Sequence, residues 1–294
     1  MSTSTTPADP SGTAAGRKPR DDELDLFGLT HPGKVRRENQ DHFLYCTLHK
    51  TMRVGGTSLS EPELLELPSE RLASFAMVAD GVGGSAAGEA ASRATIETVA
   101  TFATHTMQVY YGTKAPGGEG FLEALRAAAQ ACHEQVLARA RSQPESRKMA
   151  TTLTMFMIVW PRLYVLHVGD SRCYRLRGGV LQRLTRDQTM AQDLVDQGAL
   201  PAERAARSPF ANVLSSAIGG TSHPVVGEFV MQKGDVMLLC TDGLTRHVPD
   251  ERMRERLVAM RSSEQACRDL LEDALAGGGH DNITVYVGRA VLKS

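Results

Sequence analysis

The sequence has few cysteines, and their spacing argues against a paired-thiol site. Five occur in 294 residues, and no two of them form a CxxC pair. An odd number of scattered cysteines is typical of a reducing compartment, where disulfides do not accumulate. We therefore expect small core residues, rather than metal ligands or nucleophiles, at positions 46, 132, 173, 240 and 267.

The sequence shows no excess of one charge, no long hydrophobic run and no signal-peptide pattern. Lysine and arginine number 33 against 34 acidic residues, so the formal net charge of -1 predicts no basic surface for nucleic acid. No uninterrupted apolar stretch reaches the roughly 18 to 20 residues that a membrane span requires. The N-terminus has neither the charged start nor the apolar centre of a signal peptide. We expect a cytoplasmic, monomeric protein that binds neither nucleic acid nor membranes.

The remaining composition is that of a globular protein. Hydrophobic residues make up 41% of the chain and charged residues 23%, and a chain of this length can bury a substantial core. Residues 1–22 are rich in Ser, Thr, Pro, Gly and Ala, which predicts a disordered N-terminal tail. We expect residues 23–292 to form one domain, with a surface flap at about 189–220.

Hydrophobic periodicity and turn residues predict the order of strands and helices. Ser262 with Gln265 forms a capping-box pattern, which predicts the start of the last helix. The order is strands, two helices, many strands, two helices and a closing strand. It favours an α+β fold, a layered sandwich in which helices cover antiparallel sheets. The predicted strands are 24–31, 42–50, 72–79, 151–160, 162–169, 171–179, 180–185, 225–231, 236–240 and 282–290, and the first two predicted helices are 87–107 and 117–141.

Four aspartates lie at the ends of apolar segments, each beside glycine or asparagine. Asp80 follows "FAMVA", Asp170 follows "LYVLHVG" and Asp242 follows "VMLLCT". Asp281 stands just before the last strand. One such aspartate alone is more often a turn former. Four in comparable places indicate a common site, because the ends of neighbouring strands lie about 5 Å apart.

A group of four carboxylates predicts bound cations. Converging carboxylates repel one another unless they share protons or bind positive charge. Hard oxygen ligands favour Mg²⁺ or Mn²⁺ over zinc. Two such ions roughly 4 Å apart hold a bridging hydroxide and clamp a phosphate, which is the arrangement of two-metal hydrolysis.

Six motifs follow one another along the chain: "GKVRRENQD" (33–41), "DGVGG" (80–84), "GDSRCYRLRGG" (169–179), "TRDQT" (185–189), "TDGL" (241–244) and "GGHDNITVYV" (278–287). Together they resemble the metal-dependent protein phosphatases (the PPM family, or type 2C Ser/Thr phosphatases) in their compact bacterial form, over about residues 22–290. The resemblance implies a four-layer αββα sandwich, with two packed antiparallel sheets flanked by helix pairs. It also implies hydrolysis of phosphoserine and phosphothreonine by a bridging hydroxide at a dinuclear Mn²⁺ or Mg²⁺ site.

The resemblance assigns a metal-binding role to each strand-end aspartate. Asp80 is expected to bridge two metals, and the Gly81 carbonyl to serve one of them. Asp242 and Asp281 are expected to hold the other metal. Asp170 is similar to the ligand of a third, weaker metal. The substrates implied are phosphorylated proteins, the targets of a Ser/Thr protein kinase.

Three further residues receive roles from the same resemblance. Arg36 corresponds to the arginine that grips the substrate phosphate, for which a planar guanidinium is suited. Asp41 is similar to an outer-shell residue that holds metal-bound waters, and Asn282 to a residue that orients Asp281. Arg37 is expected to be a surface charge, because alternation along an extended chain points it away from Arg36.

Three positions depart from the commonest family pattern. Gln40 stands where many members have Glu, and Gln188 replaces the usual His after Asp187. Val82 occupies a position that holds His in many eukaryotic members, so a side-chain general acid is missing there. None of these residues is an expected metal ligand. We therefore expect them to change rate and metal affinity rather than the reaction.

Two alternatives remain open at the level of sequence. "GVGGSA" (81–86) fits the glycine pattern of a Rossmann-type nucleotide-binding enzyme, but Asp80 before it would repel a pyrophosphate and no acid-ended second strand follows. The other alternative is a phosphatase-like module that binds phosphoproteins without cleaving them. Such a module usually loses metal aspartates, whereas all of them are present here.

Overall fold

Two antiparallel β-sheets form the centre of the molecule. The computed structural model describes residues 16–52, 67–82, 86–112, 118–142 and 149–291. The first sheet contains β1 (Leu24–His31), β7 (Arg172–Arg177), β8 (Val180–Arg183), β10 (Val236–Cys240) and β11 (Ile283–Ala290). Its strand order is β1-β11-β10-β7-β8, so the closing strand β11 lies between β1 and β10.

The second sheet is built mainly from the middle of the chain. It contains β2 (Asp41–Met52), β3 (Leu67–Val82), β5 (Leu153–Val159), β6 (Arg162–Val168) and β9 (Val225–Val230). The strand order is β2-β3-β5-β6-β9, and a short strand, β4 (Ala150–Thr151), pairs with the end of β3. All pairings described in both sheets are antiparallel.

Helices cover the outer faces of both sheets. A long pair, α1 (Ala86–Gly112) and α2 (Gly118–Ser142), packs on the second sheet. A shorter pair, α6 (Asp250–Val258) and α7 (Ser263–Ala276), packs on the first. Three small helices are α3 (Met190–Asp196), α4 (Ala202–Ala205) and α5 (Asp242–Thr245), and a 3-10 turn covers Asp21–Glu23. Among the described helices, none has the length and apolar character to cross a membrane.

Side-chain alternation along the strands produces three apolar layers. In β10, Leu238 and Cys240 point toward α6 and α7, whereas Met237 and Leu239 point toward the other sheet. Successive residues of a strand face opposite sides, so a five-residue apolar run such as this one must be covered on both faces. Phe156 from β5 meets Tyr286 from β11 between the sheets, with ring centroids 5.7 Å apart. The predicted sandwich of two antiparallel sheets with flanking helix pairs is confirmed.

Several element boundaries differ from those predicted. β3 continues through Asp80 to Val82 instead of ending at residue 79, because Gly81 and Val82 pair with β4. α1 extends to Gly112, five residues past the predicted end, and β2 begins at Asp41. Ser262 caps α7 as predicted, but the Gln265 side chain accepts a hydrogen bond from the backbone of Arg261 rather than from Ser262.

The predicted N-terminal tail falls partly outside the described residues. Positions 1–15 lie outside them, whereas Lys18 and Pro19 lie against the sandwich, where the Arg71 guanidinium donates to the Pro19 carbonyl at 2.5 Å. Residues 53–66 likewise lie outside the described residues. The nucleotide-binding alternative is wrong, because β3 is antiparallel to both β2 and β5 and a Rossmann unit needs parallel neighbours.

Candidate active site

One cavity gathers the strand-end aspartates. It measures about 320 Å³ and is lined by Asp80, Asp170, Asp242 and Asp281 together with Gly81 and Arg36. The topology explains the meeting: β10 and β11 are neighbours in the first sheet, so Asp242 after β10 lies beside Asp281 before β11. β3 supplies Asp80 from the facing sheet, and the turn after β6 supplies Asp170.

Asp41 lies directly behind this cavity. It is the cross-strand partner of Asp80 in the β2–β3 ladder. Its Oδ2 accepts hydrogen bonds from the hydroxyls of Thr241 and Thr284 at 2.8 and 2.7 Å, whereas its buried Oδ1 has no partner. Burial raises the pKa of Asp41 to about 7, against the opposing effect of the two threonine hydrogen bonds. The carboxylate is thus fixed in place with one oxygen left to bind water or a cation.

Asp80 is positioned by its backbone. Its N–H donates to the Thr152 hydroxyl at 3.0 Å, and its carbonyl accepts from the Thr151 hydroxyl at 2.8 Å. The next residue must be glycine, since a Cβ on Gly81 would lie 2.5 Å from the backbone of Gly88 in α1. Helix α1 therefore packs directly against the strand that presents Asp80.

Three carboxylates in the cavity resist ionisation. Desolvation by burial is the main cause that raises the pKa of Asp80, Asp170 and Asp242, and neighbouring carboxylates raise each pKa further. Asp41 acts on Asp80 in this way, and Asp242 acts on Asp170. A cation bound among these groups would relieve both costs, because it replaces lost solvation and cancels mutual repulsion.

Two arginines supply positive charge to the cavity. Arg36 Nε and Nη2 each lie 2.9 Å from an oxygen of Asp281, a bidentate contact that raises the pKa of Arg36. Arg246 forms ion pairs with Asp242 and with Asp281, the latter at 3.1 Å. Arg246 is a site residue that was not predicted from the sequence. The pattern that could have identified Arg246 is its position four residues after Asp242, because this spacing places the two side chains on one side of the short helix α5.

Asn282 fastens the loop that carries Arg36. Its Oδ1 accepts from the Gln40 backbone N–H at 2.9 Å, and its Nδ2 donates to the carbonyls of Pro32 and Glu38. The expected contact with Asp281 is made by the Asn282 backbone N–H, which donates to Asp281 Oδ1 at 3.0 Å. The side chain itself thus positions the loop rather than the carboxylate.

The donor set fits divalent cations of the Mg²⁺ or Mn²⁺ type. Asp41 Oδ1 and Asp242 Oδ1 are buried without a hydrogen-bond partner, and every side-chain donor in the cluster is a carboxylate oxygen, which suits hard cations. The carboxylates of Asp242 and Asp281 form ion pairs with Arg246 and Arg36. Within the described ranges, no group of three His, Cys, Asp or Glu side chains is therefore already arranged around a metal position.

A comparison with sequence families decides the classification. A family profile described as Protein phosphatase 2C matches residues 67–276, which is more than half of the chain. The chain belongs to the protein phosphatase 2C family. The family resemblance seen in the six motifs is therefore confirmed.

Named family members align with most of the chain. The serine/threonine protein phosphatase PstP of Mycobacterium tuberculosis is 39% identical over 217 residues, which are 73% of this chain but 40% of PstP. The chain thus spans less than half of that relative's length. The serine/threonine phosphatase stp of Listeria monocytogenes is 33% identical over 72% of this chain and 82% of its own.

Solved phosphatase 2C structures share the architecture. The crystal structure of M. tuberculosis PstP superposes with a TM-score of 0.72 at 31% identity, covering 92% of this chain and 99% of that one. A second PstP structure, of the catalytic domain in complex with two manganese ions, has a TM-score of 0.70 at 31% identity.

The positions that depart from the common phosphatase 2C pattern have structural roles here. Gln188 Oε1 accepts from the Gly169 N–H at 2.8 Å, and its Nε2 donates to the His223 carbonyl at 2.9 Å. It therefore holds the turn that presents Asp170. The Gln40 carbonyl accepts from the Gly81 N–H, which ties the Arg36 loop to β3, and Val82 lines the cavity.

Proposed function

We propose that this chain is a metal-dependent protein-serine/threonine phosphatase that hydrolyses phosphoserine and phosphothreonine. The observation that carries the proposal is the single cavity in which buried carboxylates from both sheets meet a partly exposed arginine, Arg36. Family membership supports the reaction class, and the names of the relatives in Mycobacterium and Listeria support the substrate class.

Asp80, Asp242 and Asp281, with the Gly81 carbonyl, would hold two Mn²⁺ or Mg²⁺ ions. Asp170 would hold a third, and Asp41 would fix water in the outer shell. When bound, the ions supply the Lewis acidity that activates water for attack on phosphorus. The two ions recorded with PstP support this assignment.

Arg36 would bind the phosphate of the substrate. Its side chain is 48% exposed and already makes a bidentate contact with an anion, the Asp281 carboxylate. A phosphate offers the same paired oxygen geometry, so the fork can hold it in the same way. The neighbouring Arg37 is exposed and is not among the residues that line the cavity of the aspartates, which supports its assignment as a surface charge.

The leaving serine or threonine oxygen needs a proton. Val82 cannot provide one, and the ionisable groups that line the described cavity are otherwise the four aspartates and two arginines. The raised pKa of Asp80, Asp170 and Asp242 would keep a proton available only where no cation binds. Solvent within the cavity is therefore the proton source that fits these residues.

The expected partners are phosphorylated proteins that a Ser/Thr kinase modifies. We propose a cytoplasmic, monomeric enzyme that acts without nucleic acid or membranes. The near-neutral charge balance and the scattered cysteines support this assignment.

Hydrolysis of a phosphothreonine peptide tests the proposal. Activity is expected with Mn²⁺ and should be lost in EDTA. Asp80→Asn and Asp242→Asn should each lower kcat by about a hundredfold or more, because each removes a metal ligand. Asp269→Asn is the matched control, since Asp269 pairs with Arg256 on the outer helices and should retain full activity.

Two results would contradict the proposal. Undiminished activity in chelator would exclude metal-dependent hydrolysis. A folded protein that binds the phosphopeptide in Mn²⁺ without releasing phosphate would identify the non-enzymatic phosphoprotein-binding module instead.

A further inference from the structure

A second cavity of about 480 Å³ opens beside the catalytic cavity. Asp170, Asn212, Asp242 and Arg246 line both cavities, so the two are continuous. One wall is formed by the flap, and the opposite wall by β7, β8 and α5. A polypeptide whose phosphate lies in the catalytic cavity can therefore place a neighbouring side chain in the second one, since consecutive Cα atoms are only about 3.8 Å apart.

The flap contributes small side chains to this second cavity. Ala202, Ala205 and Ala206 line it from α4 and the residue after it, and Ala211 lines it nearby. No acidic residue of the described flap is among the lining residues. The flap wall therefore leaves room for a guest side chain and adds no negative charge.

The opposite wall carries three arginines, Arg172, Arg183 and Arg246, and three aspartates, Asp170, Asp187 and Asp242. Arg172 binds Asp187 through two contacts of 2.9 and 2.7 Å. Arg183 reaches the same carboxylate at only 3.5 and 3.4 Å, and its side chain is 33% exposed. Arg172 also lies 3.8 Å from Asp250. Arg183 has only the long contact with Asp187 among the ion pairs of the described residues, so its charge is only weakly compensated. The third guanidinium, of Arg246, lies at the junction with the catalytic cavity and forms an ion pair with Asp242 there.

We propose that this second cavity is a subsite for an acidic side chain next to the phosphorylated residue of the substrate, with Arg183 as its specificity-determining residue. The inference rests on the proposed phosphatase function and names the substrate class of the same site. A carboxylate fits because it can form a charge-assisted pair with an exposed guanidinium. A lysine or arginine at the same place in the substrate meets like charge, which is unfavourable.

A panel of phosphothreonine peptides tests this subsite. Each position within three residues of the phosphothreonine is occupied in turn by Asp, Asn or Lys. At one or more positions, the kcat/KM of the wild-type enzyme should be highest for the peptide with Asp, intermediate with Asn and lowest with Lys. The step from Asn to Asp should be about fivefold, the upper range for one partly exposed ion pair. The difference should lie in KM, because the contact is remote from the reacting atoms.

Substitution of Arg183 separates the subsite from the catalytic centre. Arg183→Gln should abolish the preference for Asp over Asn while hydrolysing p-nitrophenyl phosphate at the wild-type rate. Arg183→Lys should retain the preference, and Arg183→Glu should favour Lys-containing peptides. Arg162→Gln is the control, since Arg162 is 50% exposed, pairs with Glu228 and begins β6 at the end remote from Asp170; it should keep the wild-type preference.

The outcomes distinguish the subsite from the proposed reaction. An unchanged Asp-over-Asn ratio in Arg183→Gln, or a wild-type enzyme that cleaves all peptides equally, would overturn the subsite and leave the phosphatase function intact. A wild-type protein that hydrolyses neither peptides nor p-nitrophenyl phosphate in Mn²⁺ would refute the proposed function itself. A melting temperature of Arg183→Gln within about 2 °C of wild type shows that the fold is intact.

Discussion

Replacement of Asn282 by alanine is expected to loosen the loop that carries Arg36. The Asn282 side chain is buried and joins the start of β11 to residues 32–40 through three hydrogen bonds. Alanine removes all three and leaves the Gln40 N–H without its acceptor. The loop then has fewer hydrogen bonds to the rest of the protein. One that remains is donated by the Lys34 N–H to the Gly279 carbonyl.

The cost follows from the surroundings of each bond. The Gln40 N–H is buried, so its lost bond should cost about 1 to 3 kcal/mol. The carbonyls of Pro32 and Glu38 belong to exposed residues and can bind water instead, so each lost bond should cost about 0.5 kcal/mol. The sum is about 3 kcal/mol. For a domain of this size, that lowers Tm by about 6 °C.

Denaturant unfolding, Tm and kcat/KM measured on one preparation test this prediction. Asn282→Ala should lose about 3 kcal/mol and about tenfold in kcat/KM, because Arg36 is no longer held in place. Asn39→Ala is the control in the same loop. Its amide donates to Thr30 and accepts from Asp41 N–H in a partly exposed setting, and its loss should cost about 1 kcal/mol. Equal stability of Asn282→Ala and wild type would refute the proposal that Asn282 holds this loop in place. A greater loss of stability in Asn39→Ala than in Asn282→Ala would refute it as well.

Three further predictions concern the phosphate, the third metal and pH. Arg36→Ala should lower kcat/KM about ten- to hundredfold through loss of a charge-assisted contact, whereas Arg37→Ala should match wild type; the reverse ranking would exchange their roles. Asp170→Ala should still bind two Mn²⁺ by calorimetry yet turn over slowly at saturating metal, and normal turnover would contradict the third-metal role. Burial lowers the pKa of His167 to about 4 in the folded protein, whereas a histidine in the unfolded chain has a pKa of about 6.5. Between these pH values the unfolded chain takes up a proton that the folded protein does not. The free energy of unfolding should therefore fall by about 1.4 kcal/mol per pH unit from pH 6.5 toward pH 4. Unfolding titrations at pH 7 and pH 5 should show a smaller loss for His167→Gln than for wild type, and identical losses would exclude this histidine as the cause.

Much of the fold could be predicted because its strands bury apolar residues in recognisable patterns. Residues 236–240 are apolar throughout and became the buried strand β10, and residues 24–31 became β1 without a change of boundary. The end of β3 was missed because glycine usually marks a turn. Here Gly81 stays in the strand, since it pairs with Thr151 and allows the close approach of Gly88.

The candidate site was predicted less completely, because its contacts join distant parts of the chain. The strand-end aspartates carry a local signal, an Asp at one end of an apolar run. The contact of Arg36 with Asp281 spans 245 positions and has no such signal. Arg246 was overlooked because residues 242–245 read as a turn, and only the helical geometry of α5 brings its guanidinium back to Asp242.

We propose that the carboxylates where the two sheets meet hold a pair of divalent cations. A crystal grown with Mn²⁺ and measured by anomalous scattering tests it most directly. We predict two strong manganese peaks about 4 Å apart, with Asp80 next to both and Asp242 and Asp281 next to one. Manganese bound elsewhere, or no peak in this cavity while Asp242 and Asp281 keep their contacts with Arg246 and Arg36, would contradict the account.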